Sequence, residues 1–172
     1  LFDMEEEAEE HFNAEIEKIE EIEKKVADEV EERKTFATTF FSGDVFYVRN
    51  KGDYEVKMLE MAGGEYVFND LNPDMDGNTK MNAEEFYKGI EDVEILFYNN
   101  LNGPSIQSIA DLIDNSEFLG DVKAVKEGNV WGFKPQYYQS GDHLADIMND
   151  LYTILNTPQG EITETEYYFL MD

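Results

Sequence analysis

The sequence predicts an α/β protein: a three-layer αβα sandwich with a mostly parallel central sheet, preceded by one long amphipathic helix. Two observations lead to this prediction. Short runs of β-branched and aromatic residues alternate with stretches in which apolar residues recur every three or four positions. Such alternation is typical of βα units, whose parallel sheet is covered by helices on both faces. The first part of the chain also shows a continuous helical pattern.

The first predicted helix covers residues 4–32, which contain neither Pro nor Gly. At 1.5 Å per residue it is roughly 40 Å long, and its surface is strongly charged apart from one stripe. This stripe fits a helix that lies on the domain, and it also fits a coiled-coil segment, although regular leucines and complementary charges are absent. Its apolar residues are Met4, Ala8, Phe12, Ile16, Ile19, Ile22, Val26 and Val30.

The remaining elements follow in alternation. We expect strands at residues 35–41, 44–49, 66–68, 93–98 and 130–133, and helices at 53–61, 82–89, from 104 onward and at 144–154. The turn between the first two strands is predicted at Ser42 and Gly43. Asp53 is a suitable cap for the second helix, and Asn82 with Glu85 forms a capping-box pattern for the third.

Composition excludes several classes of function. Forty acidic and 13 basic residues give a formal charge of −27, whereas binding to nucleic acid or to an anionic membrane needs a basic surface. The chain has no cysteine and only two histidines, too few for a metal centre built from several imidazoles. Nucleotide-binding and serine-hydrolase motifs are absent, and His143 is interpreted as a helix-start residue rather than a base. We therefore predict a protein without enzymatic activity.

Residues 72–77 (NPDMDG) resemble the beginning of an EF-hand calcium loop. The twelfth position of that loop, which should supply a bidentate acid, is Ala83, and the acid arrives one residue late as Glu84. The segment before the loop is a predicted strand instead of the entering helix of an EF-hand. A polar surface loop is therefore the favoured interpretation, and no metal site is predicted.

Polar and aromatic residues follow three of the predicted strands. Ligands of such sheets bind beyond the carboxyl ends of the strands, and three cations lie in these loops: Arg49, Lys51 and Lys134. In so acidic a chain they indicate an anionic ligand, because arginine offers a bidentate fork to an anion. Ordinary loop chemistry explains the same residues equally well.

Three segments in a fixed order resemble a known family. Residues 58–68 (MLEMAGGEYVF), 81–98 (MNAEEFYKGIEDVEILFY) and 118–135 (FLGDVKAVKEGNVWGFKP) are similar to the C-terminal lobe of ABC-transporter substrate-binding proteins of the siderophore, haem and cobalamin class. The family's usual Pro-Asp before the buried strand is Glu91-Asp92 here, a departure that weakens one motif. The resemblance covers residues 34–156, and the chain ending is similar to family tails.

The resemblance implies a division of the chain and a role for it. Residues 1–34 would be the helix that connects two lobes, residues 35–156 the C-terminal ligand-binding lobe, and residues 157–172 a tail that packs on the lobe. The N-terminal lobe of the same protein would lie outside this chain. The whole protein would be exported, periplasmic or anchored as a lipoprotein, and it would deliver an iron-siderophore, haem or cobalamin-type ligand to an ABC permease in the membrane.

The resemblance and the strand-end argument together predict specific residues. Glu84, in the short helix before a strand, matches the position at which family members present an acid to the permease. Arg49 is expected to pair with an anionic group of the ligand, and the aromatic rings are expected to pack on the flat parts of the ligand. The predicted ligand-facing residues are Arg49, Tyr54, Asn99, Trp131, Tyr137 and Tyr138. The alternative is a free-standing acidic α/β interaction module whose first helix pairs with another chain.

Overall fold

The structure, a computed structural model, describes residues 5–162 and 164–172. Its α-helices are α1 (Glu5–Glu29), α2 (Tyr54–Met61), α3 (Ala83–Ile90), α4 (Ile109–Asn115), α5 (Lys123–Lys126) and α6 (Leu144–Asn156). Its strands are β1 (Thr35–Ser42), β2 (Val45–Arg49), β3 (Glu65–Tyr66), β4 (Asn78–Asn82), β5 (Ile95–Tyr98), β6 (Val130–Phe133) and β7 (Tyr168–Leu170). Three short 3-10 helices connect them at Glu117–Asp121, Pro135–Gln139 and Gln159–Glu161.

All seven of these strands form one sheet, in the order β4-β2-β1-β5-β6-β7. Strand β3 pairs with the first residues of β1, on the edge that β2 uses further along. Strands β1, β3, β4, β5 and β6 run in one direction, and only β2 and β7 run in the other. The predicted α/β class with a mostly parallel sheet is therefore confirmed.

Helices cover both faces of the sheet, as the predicted three-layer arrangement requires. Side chains alternate between the faces along each strand: in β5, Ile95 and Phe97 face one core, and Leu96 and Tyr98 face the other. The first core also contains residues of α1, α2 and α6, and the second contains residues of α3, α4 and α5. All four residues of β5 and all four of β6 are buried, because helices cover both faces of the sheet at these strands.

Several predicted boundaries were wrong: the first helix ends at Glu29, β3 covers only Glu65–Tyr66, and β5 begins at Ile95. Two further differences have a clear local reason. The turn of the first hairpin lies at Gly43 and Asp44, because β1 continues through Ser42; Gly43 has a φ of 58°, a left-handed conformation that favours glycine. Helix α4 begins at Ile109 instead of residue 104, because the Ser108 hydroxyl accepts the Asp111 N–H at 3.1 Å and caps the helix there.

Two edge strands were missed by the sequence prediction. Strand β4 has the polar sequence NTKMN, which lacks the β-branched and aromatic run expected of a strand. Strand β7 lies in the predicted tail and pairs antiparallel with β6. Both strands are held by a single neighbour in the sheet; the polar strand β4 owes its conformation to that pairing, and β7 is only three residues long.

Helix α1 packs mainly along α6 and touches α2. Ile22 and Val26 of the predicted stripe are buried and Ile19 is half-buried, whereas Ala8, Phe12 and Ile16 are exposed; Met4 lies outside the described residues. In the described ranges, the structure has no helix with the length and apolar character needed to cross a bilayer.

Candidate ligand-binding site

The start of α2 places two carboxylates beside the end of β2. Asp53 caps the helix as predicted, since its Oδ1 accepts the Glu55 N–H at 2.9 Å. Its second oxygen accepts the Gly77 N–H at 2.7 Å. Glu55, in the first turn, points inward and is fully buried, and the Thr38 hydroxyl of β1 donates to its Oε1.

These two carboxylates hold the guanidinium of Arg49. Arg49 Nη2 lies 3.0 Å from Glu55 Oε2, and Nη1 lies 3.5 Å from Asp53 Oδ2. The Tyr66 hydroxyl donates to the Arg49 carbonyl and fixes the backbone at the same point. Strand β2 runs antiparallel to β1. Arg49, its last residue, therefore follows a strand whose direction is opposite to that of the parallel strands.

Burial and charge oppose each other in setting the pKa values of Glu55 and Arg49. Burial raises the pKa of the Glu55 carboxyl above its ordinary value, although Arg49 and the Thr38 hydroxyl oppose the shift. Burial alone would lower the pKa of Arg49, but Glu55 and Asp53 outweigh it and the pKa is raised. Burial also raises the pKa of Tyr54, and Glu55 adds to that shift. The guanidinium is therefore a fixed cation that is matched by two acids of the protein itself.

Three tyrosines form a half-exposed surface beside this cluster. Tyr54 begins α2, and Tyr137 and Tyr138 lie on the 3-10 helix after β6. Tyr54 and Tyr138 are 52% and 48% exposed, whereas Tyr137 is buried beneath them. The rings of Tyr137 and Tyr138 meet edge to face at 5.4 Å. We call the surface of Tyr54, Tyr137, Tyr138, Asn99 and Asn102 the tyrosine patch.

The hydroxyl of Tyr138 has a defined orientation. Asn99 Oδ1 accepts the N–H groups of Leu101 and Asn102 at 3.2 Å each, so its amide nitrogen must face Tyr138. That nitrogen donates to Tyr138 Oη at 2.8 Å, and the side chain of Asn102 donates to the same oxygen. A hydroxyl has two lone pairs and one proton. The Tyr138 oxygen is therefore held in place by the side chains of Asn99 and Asn102.

A small cleft opens at the tyrosine patch. Its volume is about 100 Å³, below the roughly 300–1,000 Å³ of a typical ligand pocket, so it can hold only one part of a large ligand. A more open cleft of about 430 Å³ lies near residues 164–166 and contains none of the predicted ligand-facing residues. The small cleft is lined by Tyr54, Met58, Tyr137, Tyr138, Gly141, Leu144 and Ile147.

The structure thus brings together five of the six predicted ligand-facing residues. Arg49, Asn99 and Tyr137 are largely buried, and Tyr54 and Tyr138 lie at the surface. Trp131 lies apart: it is 2% exposed, and its indole N–H donates to Asn129 Oδ1 at the amino end of β6. A role for Trp131 in ligand contact stays a prediction from the sequence.

Sequence reasoning missed Glu55 and Asn102. Glu55 is one acid among 40, and its burial depends on the direction in which α2 crosses the sheet. Asn102 stands three residues after Asn99, a spacing from which both amides reach Tyr138. A search for amides around Asn99 could have found it.

The other polar features of the sequence have separate places. Glu84 is the second residue of α3, its side chain is 79% exposed, and it pairs with Lys88 at 2.7 Å. That hydrogen bond lowers the pKa of Glu84. The predicted capping box of Asn82 and Glu85 is present.

The loop at residues 72–77 is tied to the chain before α2. The Asn72 side chain donates to Asn50 Oδ1 at 3.1 Å, and the Asn50 side chain donates to the Asp76 carbonyl at 2.8 Å. Asn72 has a φ of 46°, a left-handed conformation that asparagine tolerates. Among the residues that the structure describes, no group of three or more His, Asp or Glu side chains is arranged to hold a metal ion.

Solved structures share this fold. The chain aligns over 98% of its length with a TroA-like periplasmic binding protein FepB from Veillonella parvula, at 12% identity and a TM-score of 0.71. It aligns over 89% with the siderophore periplasmic binding protein from the fuscachelin gene cluster of Thermobifida fusca, at 22% identity and a TM-score of 0.65. A possible iron-binding (periplasmic solute-binding) protein from Staphylococcus epidermidis aligns over 88%, at 18% identity and a TM-score of 0.68.

The chain spans only part of these proteins, namely 57%, 55% and 56% of their lengths. No curated protein matches the chain. A sequence model described as "Periplasmic binding protein" matches residues 1–137, which is most of the chain and includes all three segments that carried the resemblance. The chain therefore belongs to the periplasmic binding protein family.

Proposed function

We propose that this chain is part of the substrate-binding component of an ABC importer, and that its cargo is an iron-siderophore, haem or cobalamin-type ligand. One observation carries the proposal: residues predicted from separate strand ends converge on one half-exposed surface in a member of a binding-protein family. Similar structures described as siderophore-binding or possibly iron-binding proteins support the choice of cargo. The protein acts outside the cytoplasm, in the periplasm or as an anchored lipoprotein, and binds its cargo without chemical change.

The tyrosine patch forms one wall of the proposed site. Tyr54 and Tyr138 offer flat aromatic area, and Tyr138 offers a hydroxyl group. Asn99 and the buried Tyr137 hold Tyr138 in place, and Arg49 lies beneath the patch. Because the cleft is small, the rest of a large cargo is contacted by the part of the protein outside this chain.

Calorimetric titration of the full-length protein with ferric siderophores, haem and cyanocobalamin tests the proposal. We expect one of these ligands to bind, and Tyr138→Phe to weaken its binding about five- to tenfold, because one hydrogen bond to the ligand is lost. The control is Tyr152→Phe on α6, which removes a hydroxyl bonded to Glu29 away from the patch and should leave affinity unchanged. Failure of every ligand to bind would exclude this function.

Glu84 is proposed to dock against a basic pocket of the permease. Its exposure supports the role, and its pairing with Lys88 across solvent is weak enough to be exchanged for another partner. Glu84→Ala should lower cargo uptake by whole cells and leave ligand affinity intact. Glu127→Ala, which removes an exposed acid at the end of α5, is the matched control. An uptake rate equal to wild type in the Glu84 variant would remove the docking role.

Helix α1 is proposed to connect this lobe to a second one. Its exposed residues Phe12 and Ile16 support this role. Burying the Phe12 side chain, which is 64% exposed, against a further part of the protein would lower the free energy. A single stiff helix between two lobes permits only a modest hinge or shear movement on ligand binding.

A further inference from the structure

Each cation that the sequence places near the site is already bound by the protein. Arg49 contacts Glu55 and Asp53. The ammonium group of Lys51 pairs with Glu60, and that of Lys134 donates to the Thr165 carbonyl. Arg49 and Lys51 are thus paired with acids of the protein itself, and the Lys134 ammonium is held at a backbone carbonyl.

The buried charges beneath the tyrosine patch do not sum to a positive value. One guanidinium faces two carboxylates, so the cluster carries one net negative charge when Glu55 is ionised and none when it is protonated. Arg49 is also shielded, since only 11% of its side chain is exposed. An anionic group bound on the tyrosine patch would give up its contacts with water and would find no unpaired cation to replace them. Such uncompensated desolvation of a charge costs free energy.

The groups that do face outward are neutral. They are the rings of Tyr54 and Tyr138, the Tyr138 hydroxyl group and the side chain of Asn102. A hydroxyl proton is matched by a carbonyl or ether oxygen, and aromatic faces attract cations as well as flat apolar groups.

We infer that the part of the ligand resting on the tyrosine patch is uncharged or cationic, and that Arg49 shapes the site instead of pairing with a ligand anion. This inference rests on the proposed function and narrows it. Among iron chelates it favours neutral or cationic hydroxamate complexes over anionic catecholate complexes. It replaces the anion-binding role expected for Arg49 from the sequence.

The test is a titration of the full-length protein with three ferric complexes: cationic ferrioxamine B, neutral ferrichrome and anionic ferric enterobactin. We expect the cationic or the neutral complex to bind at least about tenfold more tightly than the anionic one. Added salt should weaken binding of the cationic complex, because the attraction to an acidic site is screened.

Glu55→Gln provides a second, independent test. The substitution keeps the shape of the side chain and removes one of the two charges that occupy Arg49, so affinity for ferric enterobactin should rise about three- to tenfold relative to ferrichrome. The matched control is Glu94→Gln, which removes the acid that pairs with Lys123. Glu94 directly precedes β5 and so lies at the opposite end of that strand from Asn99. The control should not change the ratio of the two affinities.

The outcomes separate the two levels of the proposal. Tightest binding of ferric enterobactin by the wild-type protein would overturn the inference and leave the proposed function standing. The inference would also be overturned if Glu55→Gln and Glu94→Gln changed the ratio of the two affinities equally. The change would then reflect the total charge of the protein and not the surroundings of Arg49. If none of the complexes binds, and neither haem nor cyanocobalamin binds, the proposed function fails and the inference fails with it.

Discussion

The two halves of helix α1 carry apolar residues at the same spacing but have different surroundings. In the carboxyl-terminal half, Ile22 and Val26 are each 5% exposed, because α6 and α2 pack against that side. In the amino-terminal half, Phe12 and Ile16 are 64% and 38% exposed. A helical repeat therefore identifies which face is apolar, whereas the neighbouring elements determine how far along the helix that face is covered.

A polar contact marks the boundary between the two halves. Glu15 reaches across to α6, where its Oε2 accepts the Ala145 N–H at 2.9 Å. Ala145 is the second residue of α6, and the residue at the N-cap position, His143, makes no side-chain capping bond. Glu15 therefore caps a neighbouring helix with a side chain distant in sequence, and its charge suits a helix amino terminus.

The largest expected difference is between identical substitutions in the two halves. Ile22→Ala should lower the free energy of unfolding by about 2–4 kcal/mol, because it leaves a cavity in the core. Ile16→Ala makes the same change where the side chain is partly solvated and should cost below about 1 kcal/mol. Urea denaturation of the 172-residue chain measures both. Equal losses would show that the amino-terminal half is as tightly packed as the other half.

A smaller effect is expected from Glu15→Gln, which weakens the cap on α6 by about 1 kcal/mol. Burial alone would raise the pKa of Glu15, but the Ala145 N–H and Lys18 outweigh it, so the pKa is lowered. A carboxyl whose pKa is lower in the folded state stabilises the fold above its unfolded pKa, and that contribution is lost as the pH falls through the folded value.

The difference in stability between wild type and Glu15→Gln should therefore be full at neutral pH and should shrink below about pH 4. Thermal unfolding at several pH values measures it. Glu17→Gln removes an exposed acid from the same turn of α1 and serves as the control, with little effect at neutral pH. A pH-independent difference at position 15 would show that the carboxylate charge is not part of the cap.

The smallest effect in this chain is expected from Phe12→Gln. Because Phe12 is mostly exposed, the free energy of unfolding of the 172-residue chain should change by no more than about 0.5 kcal/mol. In the full-length protein the loss should exceed about 1 kcal/mol, if this half of α1 packs against a second lobe as proposed. Equal values in the two proteins would remove the connecting role of α1.

The fold was predictable where local pattern and burial agree. The buried strand β1 is rich in β-branched and aromatic residues, β5 and β6 have continuous apolar sequences, and α2 and α3 have recognisable caps in Asp53 and Asn82. The polar edge strand β4 was not predictable in this way, because it is strand only through its pairing with a neighbour. Strand β7 is too short, at three residues, to give a clear pattern. Local propensity is a weak guide at sheet edges.

The candidate site also has one aspect that the sequence predicts and one that it does not. The residue types were visible in the sequence, since Arg49, Tyr54, Asn99 and the two tyrosines after β6 all follow predicted strands. The pairing of Arg49 with Glu55 was not visible in the sequence, because nothing local indicates that Glu55 is the acid that turns inward. The ion pair joins β2 to α2, and the tyrosine patch joins residues from α2, the loop after β5 and the 3-10 helix after β6.

The sequence by itself determined the α/β class, the helical face of α1, the capping of α2 and α3, and the family to which the chain belongs. These properties depend on residues that are close in sequence or on short motifs. Only the tertiary structure decided that Arg49 is neutralised, that Glu15 caps α6 and that half of the α1 stripe is uncovered. The physical reason is that charge pairing, capping between helices and burial depend on distances between groups that chain connectivity does not bring together.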